Sequence, residues 1–418
     1  MPPSIVTFGC RTNTFESELM RQHATAAGLS ETTVIVNTCA VTCEAERQAR
    51  QAIRRLKRDR PNVRIIVTGC AAQLNPEGFV AMPEVDRVLG NAEKLRAESW
   101  LAEQAPAPPT TTENNSSAFP SLLTRFAEHT RAFLPVQQGC DHRCTFCIIP
   151  FARGPSRSLA PTQVVAQARA LTAAGYRELV LTGVDLTAYG LDHAAGNDRV
   201  FGLGRLVETL LTDVPGLERL RLSSLDPVEI DEALFTLFGA DHRIMPHVHL
   251  SVQAGDDLTL KRMKRRYRRA DIVQVAARLR VLRPEVAMGA DMIAGFPTEN
   301  EATFANTLRL VEDCGLVHLH VFPFSARPGT PAARMPPVPD ATVRIRAARL
   351  RAAGAAALAR FLAGRVGTWA KVLVEKSGFG YSEDYLPVRL SAAVAPGTVA
   401  RVRLTTATAT ELYGDIDL

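Results

Sequence analysis

Cys140, Cys144 and Cys147 stand in Gln138-Gly139-Cys140-Asp141-His142-Arg143-Cys144-Thr145-Phe146-Cys147, a C-x3-C-x2-C spacing directly after an apolar run. Three thiolates so close on one loop can wrap a [4Fe–4S] cluster and leave its fourth iron without a protein ligand. An open iron suits chelation by the amino and carboxylate groups of S-adenosylmethionine (SAM). An electron from the cluster would then break the sulfonium bond and give a 5′-deoxyadenosyl radical. The competing reading is a structural zinc loop, which needs a fourth cysteine or histidine. His142 lies inside the loop, at a spacing poorly suited to join the same ion.

A second set, Cys10, Cys39 and Cys70, is spread over sixty residues, with no short motif joining it. Each member follows at once on a strand-like run: Thr7-Phe8-Gly9-Cys10, Val36-Asn37-Thr38-Cys39 and Val67-Thr68-Gly69-Cys70. In a parallel sheet the carboxyl ends of successive strands share one edge, where ligands bind. Three cysteines there can converge on a further cluster, again with one iron open. The plainer alternative is three buried cysteines acting as small apolar residues. Cys43, one helical turn beyond Cys39, reads as a bystander, and Cys314, near a helix end, as core.

The elements that must position these sets alternate along the chain. Runs at Ser4–Gly9, Thr33–Thr38 and Val63–Gly69 read as strands, with helices near Glu16–Ala27 and Glu44–Arg58 between them, so successive βαβ units and a parallel sheet are expected over residues 1–104. A Pro-, Thr-, Asn- and Ser-rich stretch within 105–125 reads as a linker. Over 126–363, strands are predicted at Phe133–Gln137, Glu178–Thr182, Glu218–Ser223, His247–Val252, Val286–Ile293 and Val317–Phe322. Helices are predicted at Thr162–Ala174, Leu203–Leu211, Ile272–Leu282 and Glu301–Asp313, then a long one near Ala341–Ala363. The fold class is therefore α/β, with an open (β/α)6 partial barrel whose chemistry belongs at the strands' C-terminal ends. Residues 364–418, strand-rich with Gly and Pro turns, read as a small β-barrel.

The pairing of the two cysteine sets resembles the methylthiotransferase family of radical-SAM enzymes, over essentially the whole chain. The resemblance is carried by Gly9-Cys10-Arg11-Thr12-Asn13, Asn37-Thr38-Cys39-Ala40-Val41-Thr42, Thr68-Gly69-Cys70-Ala71-Ala72-Gln73 and Gly295-Phe296-Pro297-Thr298-Glu299. The chain's end resembles a TRAM domain, an RNA-binding β-barrel. Three branches are known, two acting on tRNA adenosines beside the anticodon and one on a ribosomal-protein aspartate. Arg153-Gly154-Pro155-Ser156-Arg157-Ser158, Leu181-Thr182-Gly183-Val184-Asp185 and Arg221-Leu222-Ser223-Ser224-Leu225 look most like the branch acting on N6-threonylcarbamoyladenosine. The isopentenyladenosine and protein-substrate branches stay open as alternatives. The resemblance implies two [4Fe–4S] clusters, the N-terminal one carrying the sulfur to be delivered, with SAM as methyl and radical source. It also implies a methylthio group placed on C2 of the adenine at position 37, a tRNA anticodon stem-loop as partner, and an electron donor such as flavodoxin or ferredoxin.

Around the mouth of the expected barrel, Thr182, Gly183, Ser223, Gln253 and Asp291 fall at strand ends where SAM must be held, and Phe146 adjoins the last cysteine. Strand alternation sends His247, His249, Ser251 and Gln253 to the lumen, with His318 and His320. Lys261-Arg262-Met263-Lys264-Arg265-Arg266-Tyr267-Arg268-Arg269 holds seven basic residues in nine, a density suited to RNA phosphates, with Arg265, Arg266, Arg268 and Arg269 as contacts. Arg344, Arg346, Arg349 and Arg351 would extend the patch. Arg153 and Arg157 are expected near the threonyl carboxylate. The net charge of +6 permits a nucleic-acid partner without demanding one. No apolar run approaches a membrane span, Met1-Pro2-Pro3-Ser4 shows no charged n-region, and a cytoplasmic setting is expected.

Overall fold

The computed structural model describes residues 2–101, 123, 126, 129–193 and 201–417. The expected linker, 105–125, lies outside the described residues apart from Leu123, which is buried. Strands Ser4–Thr7, Thr33–Thr38, Arg64–Gly69 and Arg87–Val88 form an all-parallel sheet in that order. Its second strand is buried along its whole length, as expected for a parallel strand covered on both faces. Helix Cys43–Asp59 starts where Thr42 Oγ1 accepts the Ala45 N–H at 3.1 Å, a side-chain cap.

Six parallel βα steps follow. Strands Ala132–Pro135, Glu178–Thr182 and Arg219–Leu222 pair in order, as do Ser224–Leu225, His247–Gln253, Ala287–Ala294 and Leu316–Pro323. The break at Ser223 divides one wall into two sheets, and the first and last strands share no pairing among the described residues, so the barrel is open. The sequence reading omitted helix Glu232–Ala240, whose Asp231 cap accepts from Leu234 N at 2.7 Å. Its apolar residues crowd together without a clear helical period, which hides it from pattern reading.

Helix Asp340–Arg365 joins two cores: Ala347 and Leu350 pack in the central one, Leu362 in the C-terminal one. The last five strands close into a barrel. That barrel docks on the end of the partial barrel where the strands begin. There the buried Glu178 carboxylate takes Arg219 Nε at 2.8 Å and Arg221 Nε at 3.0 Å. The same guanidinium groups donate to Lys371 O at 2.9 Å and Glu383 O at 3.0 Å. Among the described residues no helix is long and apolar enough to cross a membrane.

Candidate active site

The cysteine loop leaves the first barrel strand and is pinned on three sides. Gln137 Nε2 donates to Gly139 O at 2.9 Å and Ser156 Oγ at 2.9 Å, while its Oε1 accepts Asp185 N at 2.8 Å. Thr145 Oγ1 donates to Arg262 O at 2.8 Å, and Thr145 O accepts Ala332 N at 2.9 Å. Cys140, Cys144 and Cys147 are partly exposed free thiols. Burial pushes the Cys147 thiol up to about 11, helped by the neighbouring Cys144, and burial likewise raises Cys140, beside Asp185 and Cys147. Such crowding favours protonated thiols until a metal supplies positive charge. Arg265 Nη1 donates to Cys144 Sγ at 3.5 Å, and Cys140 Sγ points at Asp185 Oδ2 at 3.5 Å. His142 is nearer than its spacing suggested, with its ring nitrogen, Cys140 Sγ and the Asp185 carboxylate all within 4.8 Å. That nitrogen is engaged by Asp185 at 2.9 Å and lies 3.5 Å from Glu229.

The N-terminal sheet brings Cys10, Cys39 and Cys70 together at its carboxyl edge. Gly9 turns at φ +100°, and a β-carbon there would lie 2.9 Å from Cys39 Sγ. Gly69 turns at φ +98°, where a β-carbon would lie 2.3 Å from Thr38 O. Each corner is thus pressed on the next. Asn13 Nδ2 ties two of them, donating to Phe8 O at 2.7 Å and Thr38 O at 3.1 Å. Burial raises the Cys39 thiol to about 11, and Cys70 and Cys10 add to the rise, as mutually close thiols must. Two triads of unpaired thiols, each gathered by its own loop geometry, are donor sets that fit cluster iron.

One short helix connects the two sets. Ile149–Arg153 begins two residues after Cys147, and five residues at about 1.5 Å each span only about 7.5 Å. Ile148 and Ala152 pack into the N-terminal apolar core with Val36, Cys70 and Ala71. Ala152 O accepts Asn91 Nδ2 at 2.8 Å, and the same nitrogen lies 4.0 Å from Cys70 Sγ.

At the mouth, Thr182 Oγ1 and Ser223 Oγ are buried oxygens without a hydrogen-bond partner among the described residues. They sit at the ends of neighbouring strands, and a polar ligand there would relieve the cost of leaving them unpaired. Gly183 lies against Gln137, and Gln253 stands at a register shift with φ 67°. Phe146 is partly buried against the central core. Asp291 is held by His249 Nε2 at 3.0 Å and His320 Nδ1 at 3.1 Å. Burial opposes its ionisation, but those two hydrogen bonds outweigh it and keep the carboxyl well below the usual range. His247 and His318 meet deeper in the lumen, 5.5 Å apart, where burial keeps both neutral.

The arginines differ from expectation. Arg153 does not face an open pocket: it is buried, with Nη1 on Glu16 at 2.8 Å and Nη2 on Asn13 at 2.7 Å. Arg157 is half-buried beside it. Arg265 turns inward to Asp226 Oδ2 at 2.8 Å and Ser251 O at 3.0 Å. Arg266 pairs with Glu229 at 2.7 Å, and Arg269 with Asp313. Arg268 is exposed, as are Lys261 and Lys264, while Arg346 is buried on Glu299 at 2.9 Å. Sequence reasoning missed Asn13, Glu16, Asp185 and Asp226. Asn13, three residues after Cys10, and Asp185, at the end of Leu181–Asp185, stand within quoted motifs and carried a local signal.

Residues 134–311 match the model of the Radical SAM superfamily, and residues 3–90 that of the uncharacterized protein family UPF0004. A threonylcarbamoyladenosine tRNA methylthiotransferase from Rickettsia prowazekii is 46% identical over 96% of this chain and 94% of its own length. A namesake from Thermotoga maritima is 37% identical over 79% of this chain and 76% of its own. A tRNA-2-methylthio-N(6)-dimethylallyladenosine synthase from Erythrobacter litoralis is 32% identical over 99% and 96%. Among solved structures, the radical S-adenosylmethionine methyltransferase TsrM from Kitasatospora setae aligns at a TM-score of 0.53 and 17% identity, over 75% of this chain and 68% of that one, a likeness of fold.

Proposed function

The chain belongs to the family of threonylcarbamoyladenosine tRNA methylthiotransferases, and from that premise we propose that it places a methylthio group on C2 of N6-threonylcarbamoyladenosine at position 37 of tRNA. The observation that carries the reading is the 46% identity over nearly the whole of both chains. The two cysteine triads, joined by the helix Ile149–Arg153, support it from the geometry. The enzyme is a radical-SAM tRNA methylthiotransferase, and its cofactors are SAM and [4Fe–4S] clusters.

In this reading Cys140, Cys144 and Cys147 hold the cluster that, when bound, supplies the electron for cleaving SAM. Cys10, Cys39 and Cys70 hold the second one, at the site of sulfur delivery. Thr182, Gly183, Ser223 and Gln253 line the SAM pocket, with the two unpartnered hydroxyls offered to its polar groups. Phe146 and Asp291 complete the mouth. The adenine C2–H carries no acidic proton, so no basic side chain is asked to remove it, and radical chemistry suits the bond. An anticodon-loop base can be splayed into the lumen without being extruded from a duplex. Lys261, Lys264 and Arg268 then meet tRNA phosphates, with Arg157 toward the threonyl carboxylate. The C-terminal barrel adds a TRAM-like RNA grip, for which exposed Trp369, with Arg401 stacked 4.4 Å from its ring, is suited. A flavodoxin or ferredoxin in the cytoplasm supplies the electrons.

The test is reconstituted protein with SAM, a reductant and two tRNAs, one carrying threonylcarbamoyladenosine and one isopentenyladenosine. Nucleoside mass spectrometry should find methylthiolation of the threonylcarbamoyl substrate. Modification of the isopentenyl substrate alone would move the chain to the sister branch.

A further inference from the structure

Arg153, Glu16 and Lys94 form a buried cluster between the two cysteine sets, and their charges do not cancel. The three side chains are 3% exposed or less. Arg153 meets the Glu16 carboxylate at 2.8 and 3.1 Å, and Lys94 Nζ meets the same carboxylate at 2.8 Å. Two cations therefore share one anion. The other partners are neutral amides: Asn13 Oδ1 at 2.7 Å and Gln138 Oε1 at 3.4 Å for Arg153, Asn37 Oδ1 at 3.5 Å for Lys94.

A buried charge without a counter-charge carries a heavy desolvation penalty, so the surplus cation calls for an anion nearby. Another buried surplus among the described residues, at Arg131, Arg219 and Arg221 around Glu178 and Glu375, meets the backbone carbonyls of Lys371, Ser382 and Glu383 and the Tyr385 ring. At Arg153 the neighbours lead to thiols. Asn13, whose Oδ1 takes Arg153 Nη2 at 2.7 Å, donates from Nδ2 to Thr38 O beside Cys39 at 3.1 Å, and Asn91 Nδ2 bridges Ala152 O at 2.8 Å to Cys70 Sγ at 4.0 Å. Three thiolates around a [4Fe–4S] core of charge 2+ leave one net negative charge. The two imbalances match in size and are opposite in sign.

We propose that the Arg153–Glu16–Lys94 cluster is the built-in counter-charge of the iron–sulfur cluster held by Cys10, Cys39 and Cys70, and that Arg153 thereby sets its reduction potential. This rests on the assignment of those cysteines above. Arg153 is a positioning and tuning residue, not a catalytic one. A fixed positive charge beside a cluster stabilises the reduced, more negative form, so its removal makes reduction harder.

The experiment uses the full-length chain with Cys140, Cys144 and Cys147 replaced by Ala, so that the N-terminal cluster alone is titrated by EPR-monitored potentiometry, with iron and sulfide counted beside it. Arg153→Gln should keep the iron and move the potential to more negative values, and Arg153→Lys should stay near the parent. Glu16→Gln should move it the opposite way, and Lys94→Met the same way as Arg153→Gln. Opposite signs from two neighbouring charge removals are something general damage to the fold does not produce. If Arg153→Gln sheds its iron, the signs of the Glu16 and Lys94 variants decide. Unmoved potentials with full iron, or shifts of one sign throughout, overturn the proposal while leaving the cysteine assignment intact. A parent without iron at this site overturns both.

Discussion

At Gly69 the backbone adopts φ 98° and ψ −175°, a region open in practice to glycine alone. Replacing it with alanine costs about 1–3 kcal/mol from backbone conformation, before the 2.3 Å approach to Thr38 O is relieved. Since Gly69 presses the Cys70 corner onto the Cys39 corner, Gly69→Ala should lower the melting temperature and strip N-terminal iron while sparing the barrel cluster. Metal analysis beside a thermal melt reads both effects. The cysteines give the companion outcome. Cys10, Cys39 and Cys70 changed to Ala should halve the iron and keep reductive SAM cleavage, whereas the barrel triple variant should halve the iron and abolish it. Full iron in the first variant would remove the second cluster. These six residues were legible for two reasons: Cys140, Cys144 and Cys147 share a short C-x3-C-x2-C spacing, and Cys10, Cys39 and Cys70 each follow a strand-like run. Glu16 and Lys94 were not. They lie 78 positions apart in sequence, and the 2.8 Å pair arises once the sheet has folded. Arg265 misled for a related reason: among seven basic residues, sequence cannot tell which turns inward to Asp226.

Elements obey the same division between local signal and distant partner. Strand Glu178–Thr182 and helix Glu301–Asp313 were readable to the residue from β-branched and apolar patterning. The junction between the strand starts and the C-terminal barrel was not, because its centre is the buried Glu178 among Arg131, Arg219 and Arg221. Removing one partner of such a network is expected to cost about 3–5 kcal/mol, so Glu178→Gln should unfold at lower denaturant and loosen the barrel to proteolysis. The pH dependence has a definite sign. Burial would raise the Glu178 carboxyl, but the three guanidinium groups outweigh it and hold the carboxyl far below its ordinary 4.5. A depressed carboxyl contributes its stability above the ordinary value and loses it as pH falls toward the depressed one. The stability gap between the parent and Glu178→Gln should therefore be full at pH 7 and shrink below about pH 4. A gap independent of pH would mean that packing, not charge, holds the junction.

On the scale of the whole molecule, the net charge of +6 matters for tRNA only through the cations left exposed. Much of the basic run is spent internally: Arg262 donates to Thr298 Oγ1 at 2.7 Å, Arg265 and Arg266 serve Asp226, and Arg269 serves Asp313. Lys261, in helix Asp257–Arg262, and Lys264 and Arg268, between it and helix Arg269–Leu282, remain exposed. Thr145, in the cysteine loop, donates to Arg262 O, so these three cations stand beside the mouth that a splayed adenosine would enter. Removing one cation that neutralises a phosphate should reduce the slope of log affinity against log salt by about 0.7–0.9. Neutralising the three together is thus expected to flatten the slope by about two units or slightly more, with SAM cleavage in the absence of tRNA unchanged. Arg265→Gln should behave in the opposite manner, leaving the salt slope alone while disturbing the loop around Cys144, because its guanidinium faces that sulfur at 3.5 Å. Binding titrations across salt concentrations, with cluster absorbance followed in parallel, separate the two. An unchanged slope in the triple variant would put the tRNA on another face of the enzyme.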